Sequence, residues 1–282
     1  MGKTYFSYSN TLRNGYNEDA CFICEDFGFV LDGATGLSGE KVTEEKSDAL
    51  WLVTKVKNYL IQNLANKSKS IAEILTDCVE YVLNEYNKLL NGRIVIDVPS
   101  CCVSIFRIEQ NKIVFYTLGD SPILVKLTNG KIKQICRKDL VKFDQKTIRI
   151  FKKYQHSNSC SFYDACKSNN HIILNRRVEL KNKPKGYYVF GESKGVIKFG
   201  KTVCYDLKNV DEILIMSDGY SQIYDLFKIV KAKEMFNCLN NEKDADYYYQ
   251  KLVSCQQEDA LYNHYPRFKL SDDSTIIKSK FK

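Results

Sequence analysis

Four prolines, one tryptophan, three methionines and three histidines in 282 residues set narrow limits on this chain. With so little proline there is no Pro-rich linker to divide it, and no Gly/Ser-rich stretch does so either. His156, His171 and His264 complete no histidine-containing metal motif and read as surface or structural residues. No apolar run approaches the roughly 20 residues of a membrane helix, so no membrane partner is expected. The opening "MGKTYFSYSNT" lacks the apolar segment of a secretory signal, which points to a cytoplasmic location.

Cysteine is the exception to this scarcity. There are eleven, odd in number and scattered, a pattern that fits reduced thiols in a cytosol better than a disulfide framework. Cys21 and Cys24 form a C-x-x-C, but residues three apart on a strand face opposite ways, and no second half completes a zinc site. They read as structural, and adjacent Cys101 and Cys102 as small buried residues. With 44% hydrophobic and 27% charged residues the chain can bury a real core. The formal charge of +8 is spread along the chain. Even the basic stretch 131–153 is interleaved with acids and apolar residues, which reads as a solvated face rather than a nucleic-acid surface.

Two short strands are expected over 18–32, then amphipathic helices over 41–66 and 70–91. Ser70 and Glu73 form a capping box on the second helix and Gly92 ends it. Strands follow at 100–108, 112–118, 123–127 and 131–135, with an Asn-Gly hairpin signal in "TNGK" at 128–131. Residues 140–185 read as a polar, irregular inserted lobe. Strands return at 187–190 and 211–217, helices around 220–236 and 244–263, and a last strand at 274–278. Blocks of strands and helices, rather than strict alternation, suggest sheets flanked by helices in one domain.

Carboxylates recur at the ends of these apolar strands. If the first hairpin turns at Glu25-Asp26, Asp19 falls opposite Asp32, where like charges destabilise a sheet. Asp120 closes "KIVFYTLGD", Asp218 closes "EILIMSD", and Asp272 and Asp273 precede "STIIK". Glycines 33, 119 and 219 adjoin three of them, allowing backbone to turn sharply or approach an ion. A lone Asp after a strand is an ordinary turn residue. Recurrence with the same flanks instead suggests carboxylates converging on Mg²⁺ or Mn²⁺, in a two-metal arrangement.

The motifs "NEDA" (17–20), "LDGATG" (31–36), "LGDSPILV" (118–125), "LIMSDGY" (214–220) and "SDDST" (271–275) occur in an order that resembles the metal-dependent serine/threonine protein phosphatases (the PPM, or type 2C, family), in particular its bacterial branch. The resemblance runs from about residue 5 to 280. It implies an α+β fold, a four-layer α-β-β-α sandwich of two antiparallel sheets flanked by helices, in a single domain over 1–282 with a flap lobe around 140–200. It also implies two Mn²⁺ or Mg²⁺ ions. Asp32 would bridge both, with the Gly33 carbonyl on one; Asp218 and Asp272 would hold one ion, and Glu18 and Asp19 the other, partly through water. Asp120 matches a position that serves a third, weaker metal in some members.

The chemistry implied is direct attack by a metal-bridging hydroxide on phosphoserine or phosphothreonine, with no phosphoenzyme. The implied partners are a phosphoprotein substrate and a cognate serine/threonine kinase, with the enzyme a monomer. Two departures stand out. The family's phosphate-binding arginine position is Asn14 here, which leaves Arg13, one step away, as the phosphate-binding candidate. Where many eukaryotic relatives carry a histidine after "DG", this chain has Ala34. These departures motivate a second reading, a catalytically weak regulator that binds a phosphoprotein through the same fold. A third, a two-metal nuclease, rests only on the net charge.

Overall fold

Successive residues Phe29, Val30 and Leu31 are all fully buried, yet a strand sends neighbours to opposite faces. The strand that carries them is therefore covered on both sides. The computed structural model of the chain describes residues 4–12, 15–34, 36 and 39–281 and shows what lies on each side.

The first half of the chain gives β1 (Thr4–Asn10), β2 (Asp19–Ile23), β3 (Phe27–Ala34), the helices α1 (Asp48–Asn63) and α2 (Ile71–Leu90), and then β4 (Ser100–Glu109), β5 (Lys112–Leu118), β6 (Ile123–Leu127) and β7 (Ile132–Ile135). The second half gives α3 (Asp139–Asn158), α4 (Phe162–Ser168), α5 (Asn170–Leu180), β8 (Lys201–Asp206), β9 (Val210–Met216), α6 (Asp218–Asp225), α7 (Met235–Cys238), α8 (Glu242–Glu258) and β10 (Ser274–Lys280). The strands form two five-stranded antiparallel sheets, ordered β1-β10-β9-β6-β7 and β2-β3-β4-β5-β8.

Alternation builds four layers from these sheets. Phe29 and Leu31 pack outward with Leu52, Val56 and Leu60 of α1 and Ile74 and Val82 of α2. Val30 points inward, where it joins Phe106, Ile213, Ile215 and Ile277 between the sheets. Leu214, Met216 and Ile276, one residue out of phase, pack against Tyr220, Ile223, Tyr249 and Leu252 of α6 and α8. The α-β-β-α sandwich expected from the motifs is the fold observed.

Several boundaries differ from the sequence reading. α1 begins at Asp48, not near residue 41, because the Ser47 side chain accepts the Leu50 N–H as an N-cap. The capping box of Ser70 and Glu73 is present, and Asn91, in the left-handed region, ends α2 one residue before Gly92. Residues 140–185 are not irregular. They are largely helical, with Phe143, Thr147 and Phe151 buried at four-residue spacing along α3. Residues 187–190 make only isolated bridges, Lys181 to Tyr187 and Cys101 to Phe190. The helix expected over 220–236 stops at Asp225, and Met235–Cys238 forms a separate turn.

All eleven cysteines are free, with Cys101 and Cys102 buried. His156, His171 and His264 are exposed. Among the described residues no helix is long and apolar enough to cross a membrane.

Candidate metal centre

The β2–β3 hairpin sets Asp19 directly opposite Asp32. The chain approaches it closely: the Gly33 N–H donates to the Glu18 carbonyl at 3.1 Å. A Cβ on Gly33 would stand 2.4 Å from that oxygen, so only glycine fits. The Glu18 N–H in turn donates to Asp273 Oδ2 at 2.8 Å, which ties the hairpin to the start of β10.

Because β10 lies between β1 and β9, its first residues meet the end of β9. The Ser217 N–H donates to the Thr275 carbonyl at 3.0 Å, and the Thr275 N–H to Ser217 Oγ at 2.9 Å. Asp218 and Asp272 are thereby brought to one place. The Asp218 N–H, at the first turn of α6, donates to Asp32 Oδ2 at 3.1 Å, and the Ser121 hydroxyl reaches the same oxygen at 3.4 Å. Asp120 follows β5 and accepts from Cys102 Sγ at 3.3 Å.

Glu18, Asp32, Gly33, Asp120, Asp218 and Asp272 line one cavity of about 410 Å³. Asp19 is not among the lining residues; it is buried behind them. Arg13 lies outside the described residues. Three further lining residues escaped the sequence reading: Asp144 on α3, Arg177 on α5, and Lys269, whose ammonium pairs with Asp272 at 2.5 Å. Arg177 also hydrogen-bonds Tyr187. Asp144 and Arg177 are distant in sequence from the strand-end motifs, whereas Lys269 stands three residues before Asp272. Only the amphipathic spacing of α3, had it been read as a helix, could have pointed to Asp144.

The electrostatics are those of crowded acids. Burial, then the charges of Asp218, Asp19, Asp272 and Asp120, hold the Asp32 carboxyl well above the usual carboxylate range. Burial raises Asp19 too, opposed by the hydroxyl of Ser217, with Asp273 and Asp272 adding repulsion. Asp120 is raised by burial and by Asp218 and Asp144. Asp218 is pushed up to about 6 by burial and Asp272. Asp144 rises to about 7 by burial and Asp218, although Arg177, Lys269 and Arg176 pull it down. Such a cluster favours a cation in its midst, since a nearby positive charge stabilises the ionised form of every member.

The donors fit a hard divalent ion in kind. All are oxygens, and Asp19 Oδ2 is buried without a hydrogen-bond partner. Among the described residues no three His, Cys, Asp or Glu side chains close on a single point. Mg²⁺-like ions use one or two carboxylates each and keep several waters, so an open ring of acids around a cavity suits them better than a closed cage.

Comparison with known proteins bears on the fold and the family. No curated protein sequence matches the chain significantly. Among solved structures, the serine/threonine phosphatase Stp1 from Staphylococcus aureus superposes with a TM-score of 0.56 at 16% identity, covering 99% of this chain and 94% of that one. The serine/threonine phosphatase PstP/Ppp of Mycobacterium tuberculosis superposes at 0.53 and 13% identity, with 99% of each chain covered. A PstP catalytic domain in complex with two manganese ions superposes at 0.55 and 13% identity, covering 99% and 97%. These likenesses establish the fold. Residues 8–261 match the family model described as Protein phosphatase 2C. The chain therefore belongs to the protein phosphatase 2C family, and its enzyme class is that of the protein serine/threonine phosphatases.

Proposed function

We propose that this chain is a metal-dependent phosphatase that hydrolyses phosphoserine and phosphothreonine in proteins, acting as a cytoplasmic, monomeric signalling enzyme opposite a serine/threonine kinase. The observation that carries the reading is the single cavity onto which Glu18, Asp32, Gly33, Asp120, Asp218 and Asp272 all open. Asp32 would be shared by two divalent ions, with Asp218 and Asp272 on one and Glu18 and Asp19 on the other; Asp120 and Asp218 would serve a third. When bound, such ions supply an acidified water as nucleophile and neutralise phosphoryl oxygens.

The chain's own groups do the rest. The Asp218 N–H and the Ser121 hydroxyl fix Asp32 Oδ2 in orientation. Arg177 and Lys269 bring positive charge to the cavity wall, where developing phosphoryl charge is stabilised. Leu140, Phe143, Val189 and Phe268 line the remainder and limit water around the phosphoester. The lobe around 140–200 would supply the flap side of the site, through lining residues such as Leu140, Phe143, Asp144 and Arg177, in a single domain with the sandwich.

The test is hydrolysis of an aryl phosphate and of a phosphopeptide by the purified chain, with Mn²⁺ and with chelator. Turnover that depends on the metal supports the proposal, and equal turnover in chelator sinks it. Phosphopeptide binding with neither turnover nor divalent binding would move the assignment to a regulator built on the phosphatase fold.

A further inference from the structure

A second cavity, of about 710 Å³, lies on the other side of α3 from the carboxylates. Phe143 lines both, so the helix is a partition between them. Leu140 and Asp144, four residues apart, face the acidic side. Lys138, Lys142 and Lys146, also at four-residue spacing, face the second cavity. α5 repeats the division, with Arg177 on the acidic side and Arg176 on the other.

The second cavity is basic throughout. Lys185, Lys198, Lys201 and Arg137 complete a lining in which, among the described residues, Asp139 is the sole acid, and Arg137 already holds it through Nε at 2.9 Å. The three lysines along α3 are exposed and have no carboxylate within ion-pair distance among the described residues. Like charges four residues apart destabilise a helix, so this row is not explained by the stability of α3.

We propose that this cavity binds an acidic segment flanking the phosphorylated residue of a protein substrate, so that substrate choice rests on charge beside the phosphate. The inference rests on the phosphatase reading, which puts the phosphorylated residue on the near side of Phe143. A polypeptide is favoured over RNA by the state of the local aromatic faces. Tyr188 and Phe199 stack on each other at 3.9 Å, Arg137 covers Tyr188, and Lys198 covers Phe199. Bases would find little open platform there, whereas carboxylates need only the ammonium groups.

The test compares two phosphoserine peptides, one with glutamates around the phosphoserine and one with neutral residues, on the wild-type chain and on K142E/K146E. Neither lysine belongs to the catalytic cavity, and both are exposed, so the fold should persist; K142Q/K146Q serves as the milder pair. The acidic peptide should show a KM about tenfold lower than the neutral one on wild type. That preference should shrink with salt and vanish in both variants, while kcat for the aryl phosphate stays unchanged. Equal KM values for the two peptides on wild type, or a preference that survives charge reversal, would overturn the proposal. Fluorescence anisotropy of the labelled acidic peptide supplies a readout independent of turnover. If the chain hydrolyses no phosphoester, the phosphatase reading fails while lysine-dependent anisotropy still upholds the basic site. Binding of homopolymeric RNA that the acidic peptide cannot displace would count against it.

Discussion

Asp19 and Asp32 stand directly opposite each other across the β2–β3 hairpin, both carboxyls held above their usual range by burial and by neighbouring acids. Opposed like charges in a sheet weaken it. The pairing is thus a folding cost borne at the place where a cation would relieve it.

Asp32→Asn should therefore act in opposite directions on stability and activity. In chelator at neutral pH the variant should melt above the wild type, because one member of the acid cluster has lost its charge. With Mn²⁺ it should lose more activity than the about 10–100-fold typical of an outer-shell partner. Melting curves in chelator and Mn²⁺-dependent turnover check both halves. A variant less stable than wild type in chelator would contradict the electrostatic account.

The same cluster fixes the sign of a pH dependence. Asp218 is pushed up to about 6 and Asp144 to about 7 in the folded chain, above the ordinary value of 3.8. The native state then holds protons that the unfolded state has released. Stability in chelator should be greatest below about pH 4 for these groups and fall as pH rises through 7. Urea titrations at several pH values read this directly. Saturating Mn²⁺, by favouring the ionised carboxylates, should flatten or reverse the slope.

Lys181 sits at the end of α5 with its ammonium 2.6 Å from Asp97 and 2.8 Å from Glu192, almost fully buried. Lys181→Ala would remove the ammonium that pairs with the buried Asp97 carboxylate and should destabilise the chain by about 3–5 kcal/mol. Denaturant unfolding measures it. A conservative Lys181→Arg variant should recover part of the loss, since it keeps a positive charge beside Asp97 and Glu192.

Gly219→Ala tests the junction of α6 and β10. A Cβ there would lie 2.0 Å from the Asp273 carbonyl, a backbone atom that can yield only by moving the strand. Divalent-ion affinity measured by calorimetry should fall together with activity, since Asp218 and Asp272 flank the displaced contact. Unchanged affinity would show that the carboxylates do not depend on this approach.

The strand-end acids were legible because each follows or precedes a buried apolar run, and the hairpin register followed from the position of its turn. Burial on both faces also made β4, β5, β6 and β9 plain. β1 and β8 were not legible: "TYFSYSN" and "KTVCYD" are sheet-edge strands, half-exposed, with weak apolar alternation. The helices of 139–180 were hidden by their polarity, since α5 buries no residue at all and α3 only three. Asp144 and Arg177 reach the cavity through packing between distant segments, and no local spacing marks them; Lys269 arrives with Asp272, three residues on. The basic stretch read as a solvated face because its charges are interleaved in sequence; once α3 forms, Leu140 and Asp144 turn to the acidic cavity and Lys138, Lys142 and Lys146 to the other.

The sheet order has a consequence in time. β1 pairs only with β10, through contacts such as Ser9 to Thr275 across 266 residues of chain. Pairing of such long range comes late in folding, and synthesis runs from the amino end. During translation the hairpin carrying Asp32 emerges early, but it faces no Asp272 until the last strand has been made and has slotted between β1 and β9. A nascent chain on the ribosome thus carries Glu18, Asp32, Asp120 and Asp218 before Asp272 can join them, and the acid ring closes only with the last strand.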